Sequence, residues 1–279
     1  MLIHPPSLPM RRVPGVLAAA VGLLLFASTG FAQTGEIDLP GHGGEIDRPG
    51  RPGEVEPPSR PDVSNPKNAY DEAGRLHNEG LEYAVSARHK IGPWRGPLSI
   101  AVTGRILELW ASDDPTSCAV GPADVERVAQ FIAADPETRY ALLKEVMPEE
   151  HLAWVERIRA LMHVDDPEGT AEELKKLEDE IRATLPEKEA RSLLATASIA
   201  RYSTEYWHRQ GILGEKSLWD LGDGNPSQKP DVNEVDMMVY KYEFERALQW
   251  LHYPSAHAYA LHMSMLASAG LAISKVQYQ

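Results

Sequence analysis

From residue 124 onward, apolar positions recur at intervals of three and four, the spacing that aligns side chains along one face of an α-helix. Asp124 to Ala134 places Val125, Val128, Ala129 and Ile132 on one side, with Pro122 suited to the first turn. Asp135-Pro136 forms a cap for a second such segment, which Pro148 stops after Met147. Leu152, Val155, Ile158, Leu161 and Met162 continue the rhythm. Thr170 and Glu173 then read as a capping box ahead of Leu174, Leu177, Ile181 and Leu185. A long helix is predicted from Pro186 to about Arg209, another from near Asn233, and a last one over roughly Ala256 to Val276. Alternating strand patterns and hairpin turns are missing. These elements predict an all-α fold, an irregular multi-helix bundle with short proline-marked connections, over residues 67–279. About 210 residues suffice for one well-buried core.

The pattern changes completely upstream. Arg11 and Arg12 precede an apolar run from Val13 to Phe26 of about 14 residues, shorter than the ~20 needed to span a bilayer. Gly30-Phe31-Ala32 fits a signal-peptidase site, so residues 1–32 read as a signal peptide with translation starting at Met1 or Met10. No stable membrane insertion is expected after cleavage. The protein is expected to be exported, periplasmic or extracellular, from a bacterium. Residues 33–66 are dominated by Gly, Pro and charge, with a degenerate repeat at Gly35-Glu-Ile-Asp, Gly44-Glu-Ile-Asp and Gly53-Glu-Val-Glu. Such composition buries too little apolar surface to offset ordering entropy, which predicts a disordered spacer. The repeat serves either as a solvated tether or as a docking motif.

Net charge sharpens the picture. The chain carries −13, and the signal segment removes two arginines but no acid. This excess argues against nucleic acid and anionic membrane surfaces, both of which require Lys and Arg as counter-charge. Cys118 stands alone, so no internal disulfide can form; it is either buried beside Ala119 and Val120 or available for pairing between chains.

Candidate chemistry concentrates at the start of the helical region. With Tyr70 to Val85 as a helix, Gly74, His77, Leu81 and Ala84 fall on one line, and Asp71 and Asn78 on an adjoining one. Gly74 and Gly80 each cost about 1 kcal/mol relative to alanine within a helix. That cost is tolerated where another backbone or a ligand comes close. Asp71, Gly74, His77 and Asn78 are therefore candidate ligand-binding residues, and His77 oriented by Asp71 is a candidate acid or base. The alternative is a tight helix crossing in which His77 and Asn78 satisfy buried carbonyls.

The segment Asn68-x-Tyr70-Asp71-x-x-Gly74-x-x-His77-Asn78 resembles the opening signature of a group of uncharacterised secreted bacterial proteins. In that group an Asn-Pro-Tyr-Asp-x-x-Gly-x-x-His-Asn segment follows the signal and linker. Ser198 to Trp207 is similar to a second segment of the group, a helix ending in Tyr-Trp. Ala69 stands here in place of the proline, and the group's Gly/Ala-rich, Asp-containing helix is echoed only by Ala267 to Ala272. The resemblance implies a secreted helical domain and brings no activity with it.

Elsewhere the signals are sparser. Tyr206 and Trp207 either wall a pocket near His77 or pack the end of the long helix. Asp223, Asn225, Ser227, Asp231 and Glu234 occupy positions 1, 3, 5, 9 and 12 of a calcium-loop spacing. That makes calcium a possible cofactor, although Gln228 stands where the loop's glycine belongs. No other cofactor is expected. His252, His257 and His262 recur every five residues, which turns each about 140° from the last and gives no shared zinc-binding face. Ala260, Ser264 and Ser268 at four-residue spacing suit close helix packing. Phosphate loops, nucleophile elbows and paired-cysteine metal motifs are missing from the sequence. The reading is an exported helical module that binds a protein partner or small-molecule ligand, with an extracytoplasmic hydrolase using Asp71 and His77 as the alternative.

Overall fold

The computed structural model describes residues 62–91, 121–163, 165–213 and 231–275, all within one compact unit, Pro58–Gln279. These residues form eight helices and no strand, so the fold is all-α. They are α1 (Glu72–Ile91), α2 (Pro122–Ala133), α3 (Pro136–Val146), α4 (Glu149–Ala160), α5 (Pro167–Thr184), α6 (Glu187–Leu213), α7 (Asp231–Ala247) and α8 (Tyr253–Lys275). The long helix α6 is the hub, packed against α1, α4, α5 and α7. Helix α8 lies along α7 and also meets α1 and α2, while α3 packs on α7.

Helix boundaries follow the proline and carboxylate punctuation. Asp135 caps α3 by accepting from the Thr138 amide at 2.8 Å, and Pro136 occupies the first turn. Helix α5 differs from the sequence expectation. It starts one turn before Thr170, because Asp166-Pro167 supplies both the cap, accepting from the Gly169 amide at 2.9 Å, and the first-turn proline. Thr170 is thereby freed to tie back the preceding loop, accepting from the His163 amide at 2.9 Å.

Ordered packing also begins earlier than composition indicated. Val63 and Asn65, inside the stretch read as spacer, are both buried. Asn65 Nδ2 donates to Glu178 Oε2 at 2.5 Å, and Asn68 Nδ2 donates to the Leu194 carbonyl at 3.0 Å. The signal segment, the spacer up to residue 61, Cys118, and Asp223, Asn225 and Ser227 lie outside the described residues.

The core holds many polar side chains. Helix α6 buries Ser192, Thr196, Ser198, Arg201, Ser203 and Thr204 among its alanines and leucines. Two of these hydroxyls satisfy themselves locally, Thr196 on the Ser192 carbonyl and Thr204 on the Ala200 carbonyl, each at 2.7 Å. The small residues Ala260, Ser264 and Ser268 of α8 are fully buried, and Ser264 Oγ donates to the Asp236 carbonyl of α7 at 2.7 Å. Among the described residues no helix is long and apolar enough to cross a membrane.

Candidate functional site

Gly74 sets the closest approach of α1 to α6. A Cβ at this position would lie 2.5 Å from the Ser198 carbonyl oxygen and 2.5 Å from the Tyr202 ring. The contact is sealed by two hydrogen bonds: the Gly74 amide donates to Ser198 Oγ at 3.1 Å, and Ser198 Oγ donates to the Asp71 carbonyl at 2.7 Å. Only a residue without a side chain fits here.

One turn further along α1, His77 enters the interior with 0% exposure. Its Nδ1 lies 3.3 Å from Asn78 Oδ1 and its Nε2 lies 3.9 Å from Asp236 Oδ2 of α7. Asp236, also 0% exposed, accepts at Oδ2 from Ser203 Oγ and from Trp207 Nε1, the latter at 3.1 Å. Ser268 of α8 faces the same carboxyl without a well-formed hydrogen bond, and Asp236 Oδ1 has no hydrogen-bond donor. Four helices thus meet at one buried carboxyl. Burial pushes the Asp236 carboxyl above its usual range, against the pull of His77 and the donors around it. Burial pushes His77 down, opposed by Asp236.

Asp71 is engaged elsewhere. Its Oδ1 accepts from Arg201 Nη2, and its Oδ2 accepts from the Tyr202 hydroxyl at 3.1 Å. Arg201 is itself fully buried; its Nε donates to Glu178 Oε1 at 2.9 Å and its Nη1 to the Val63 carbonyl. Burial raises the Glu178 carboxyl even with Arg201 beside it. The carboxylate that reaches His77 is therefore Asp236, while Asp71 belongs to the arginine-centred network.

Asn78, half-buried, joins the interior to the surface. Its Nδ2 donates to the Tyr202 carbonyl at 2.8 Å, and both residues line a cleft of about 230 Å³ between α1 and α6. Four carboxylates, Asp62, Glu79, Glu82 and Glu205, share that lining with two guanidiniums, Arg75 and Arg209. Both cations are already paired. Arg75 bridges Glu72 and Glu79, and Arg209 reaches Glu82 at 3.0 Å and Glu205 at 3.4 Å.

Trp207 joins the His77 cluster through its indole N–H. Tyr206 is fully buried, packed edge-on against Trp207 at 5.1 Å between ring centroids, and does not line the cleft. Of the calcium-spacing residues, Asp231 opens α7 and Glu234 pairs with Arg159 Nε at 2.9 Å. Among the described residues no three His, Cys, Asp or Glu side chains are grouped so as to hold a metal ion. A separate ion pair lies within α7, where buried Lys241 Nζ donates to Glu245 Oε1 at 2.5 Å and also reaches across to Ser192 Oγ of α6 at 2.7 Å.

Sequence reasoning missed Asp236, Ser203 and Ser268. Asp236 did carry a signal: it sits in the run Val235-Asp-Met-Met-Val-Tyr240, an acid flanked by apolar residues inside a predicted helix. Burial of that helix on all sides implies a partner for the carboxyl. The two serines carry no such mark. Comparison of the chain with protein-family models, curated proteins and solved structures finds no match.

Proposed function

We infer that this protein is an exported bacterial helical module that binds a protein partner or ligand, and that it does so at the cleft between α1 and α6. The observation that carries this reading is the position of Asn78, whose amide both lines the cleft and faces the buried His77. Occupancy of the cleft is thereby felt in the polar core rather than only at the surface. Four carboxylates against two guanidiniums leave the lining with a net negative charge, which favours a cationic group: a lysine or arginine side chain of a partner, or a small amine. Export itself rests on the charge and apolar pattern of residues 1–32.

The test is titration of the protein with a short oligolysine peptide and with spermidine, comparing Glu79→Lys with Glu180→Lys. Glu79 is on the rim of the cleft; Glu180 is half-exposed on α5, outside it, and pairs with Arg157. Both changes alter net charge equally. Binding weakened at least tenfold by Glu79→Lys and little changed by Glu180→Lys supports the cleft. Equal weakening by both reduces the interaction to overall charge, and no binding of either probe by the unaltered protein removes the cationic assignment.

A further inference from the structure

We propose that His77 and Asp236 hold one buried proton between them, and that this proton fixes which way the Asn78 amide faces in the cleft. The proposal goes beyond the binding reading and needs no ligand for its test, so the two can fail separately. It starts from hydrogen-bond bookkeeping. Asn78 Nδ2 is committed to the Tyr202 carbonyl at 2.8 Å, so the atom turned toward His77 is the acceptor Oδ1. His77 Nδ1 must then carry a hydrogen.

The other ring nitrogen, Nε2, faces Asp236 Oδ2 at 3.9 Å and has no hydrogen-bond partner. Were both atoms bare, a lone pair would oppose a carboxylate and the pair would carry a full negative charge with no access to water. One additional proton, on Nε2 or on the Asp236 carboxyl, removes both penalties. Among the described residues, no other charged side chain acts on the pair. The groups facing the pair are Asn78 on α1, Ser203 and Trp207 on α6 and Ser268 on α8, all neutral. The charged side chain that acts on His77 is Asp236. Arg201, one helical step from Tyr202, is committed to Glu178 and Asp71.

Loss of the shared proton to solvent has a directional consequence. The one hydrogen left on the imidazole is drawn to Nε2, toward the now ionised Asp236. Nδ1 becomes an acceptor, and Asn78 has to present its NH2 group to it, surrendering the Tyr202 carbonyl. The cleft then meets a rotated amide. Gain of a further proton at low pH leaves Nδ1–H in place, so the device turns only toward alkaline pH.

The experiment is NMR on the full chain with 15N-labelled histidine and asparagine, between pH 5 and 9. The expected result is His77 in the Nδ1–H form at neutral pH, with no independent titration near ~6.5. Its ring nitrogens and the Asn78 side-chain amide should then move together at one higher pH. Asp236→Asn should leave the Asn78 amide insensitive to pH over that range. His77 titrating alone near the ordinary histidine value, or an Asn78 transition that persists in Asp236→Asn, overturns the proposal. If that variant does not fold, the titration of the unaltered protein still decides, because coupled or uncoupled movement of His77 and Asn78 is read from it directly.

Discussion

Replacing Gly74 by alanine isolates the contact on which the arrangement of α1 and α6 depends. A methyl group there would sit 2.5 Å from the Ser198 carbonyl oxygen and 2.5 Å from Tyr202 Cδ2. The tyrosine ring can rotate away; a carbonyl in the middle of α6 cannot, so the helices must separate. Overpacking of this kind costs about 1–3 kcal/mol. Stretching the hydrogen bonds from the Gly74 amide to Ser198 Oγ and from Ser198 Oγ to the Asp71 carbonyl forfeits roughly 1 kcal/mol each. Against this, alanine is favoured over glycine within a helix by about 1 kcal/mol. The net expectation is a loss of about 2–4 kcal/mol, which for a domain of this size lowers Tm by roughly 4–16 °C. Thermal unfolding followed by circular dichroism measures it. A companion variant, Gly74→Ala with Tyr202→Ala, should recover only a minor part. An unchanged or raised Tm in the single variant would show that the helices are not held at glycine distance.

Other consequences follow from the buried charges. Asp236 is raised above 3.8, so its contribution to stability is complete below that pH and declines as pH rises toward its folded value; His77 is lowered below 6.5, so its contribution is intact above 6.5 and is lost as pH falls through its folded value. Asp236→Asn should therefore gain stability relative to the unaltered protein between pH 5 and pH 8 in urea titrations, and parallel pH curves would contradict this. Arg201→Met strands Glu178 in the interior and should cost about 3–5 kcal/mol, with partial recovery on adding Glu178→Gln; a loss below ~1 kcal/mol refutes a buried-pair role. Trp207→Phe keeps an aromatic ring, though a smaller one, and removes a donor from the Asp236 carboxyl, for an expected loss of about 1–3 kcal/mol by chemical denaturation. It should also lift the pH at which His77 and Asn78 move, and an unmoved transition would show that the indole N–H does not reach the carboxylate.

How far these features could be read from sequence depended on whether they were local. The helices were legible because proline, capping carboxylates and three-and-four spacing act within a few residues of one another. Pro122, Pro136 and Pro148 all mark boundaries that the structure keeps. Thr170 misled because two residues competed to start the same helix, and Asp166-Pro167 offered the better cap. Val63 and Asn65 were absorbed into a spacer because composition weighs residues without knowing that a distant glutamate will demand an amide. Gly74, His77 and Asn78 could be placed on one surface of α1 from spacing alone. Their partners could not. Whether a helical histidine meets Asp71, in the turn just before its own helix, or Asp236 across the bundle depends on Arg201, whose guanidinium takes the first and leaves the second. That choice is made by long-range packing, and no local pattern encodes it.

The route by which the backbone enters the bundle has a mechanical corollary. The Val63 carbonyl is held by Arg201 and Asn65 by Glu178, so tension applied from upstream reaches α6 and α5 before it reaches α1. Pulling on that arm would work against a charged clamp in the protein interior, not peel a terminal helix from the outside. Shortening the polypeptide to begin at Glu72 would sever the same clamp, taking the Val63 carbonyl and the Asp71 carboxylate from Arg201 and the Asn65 amide from Glu178.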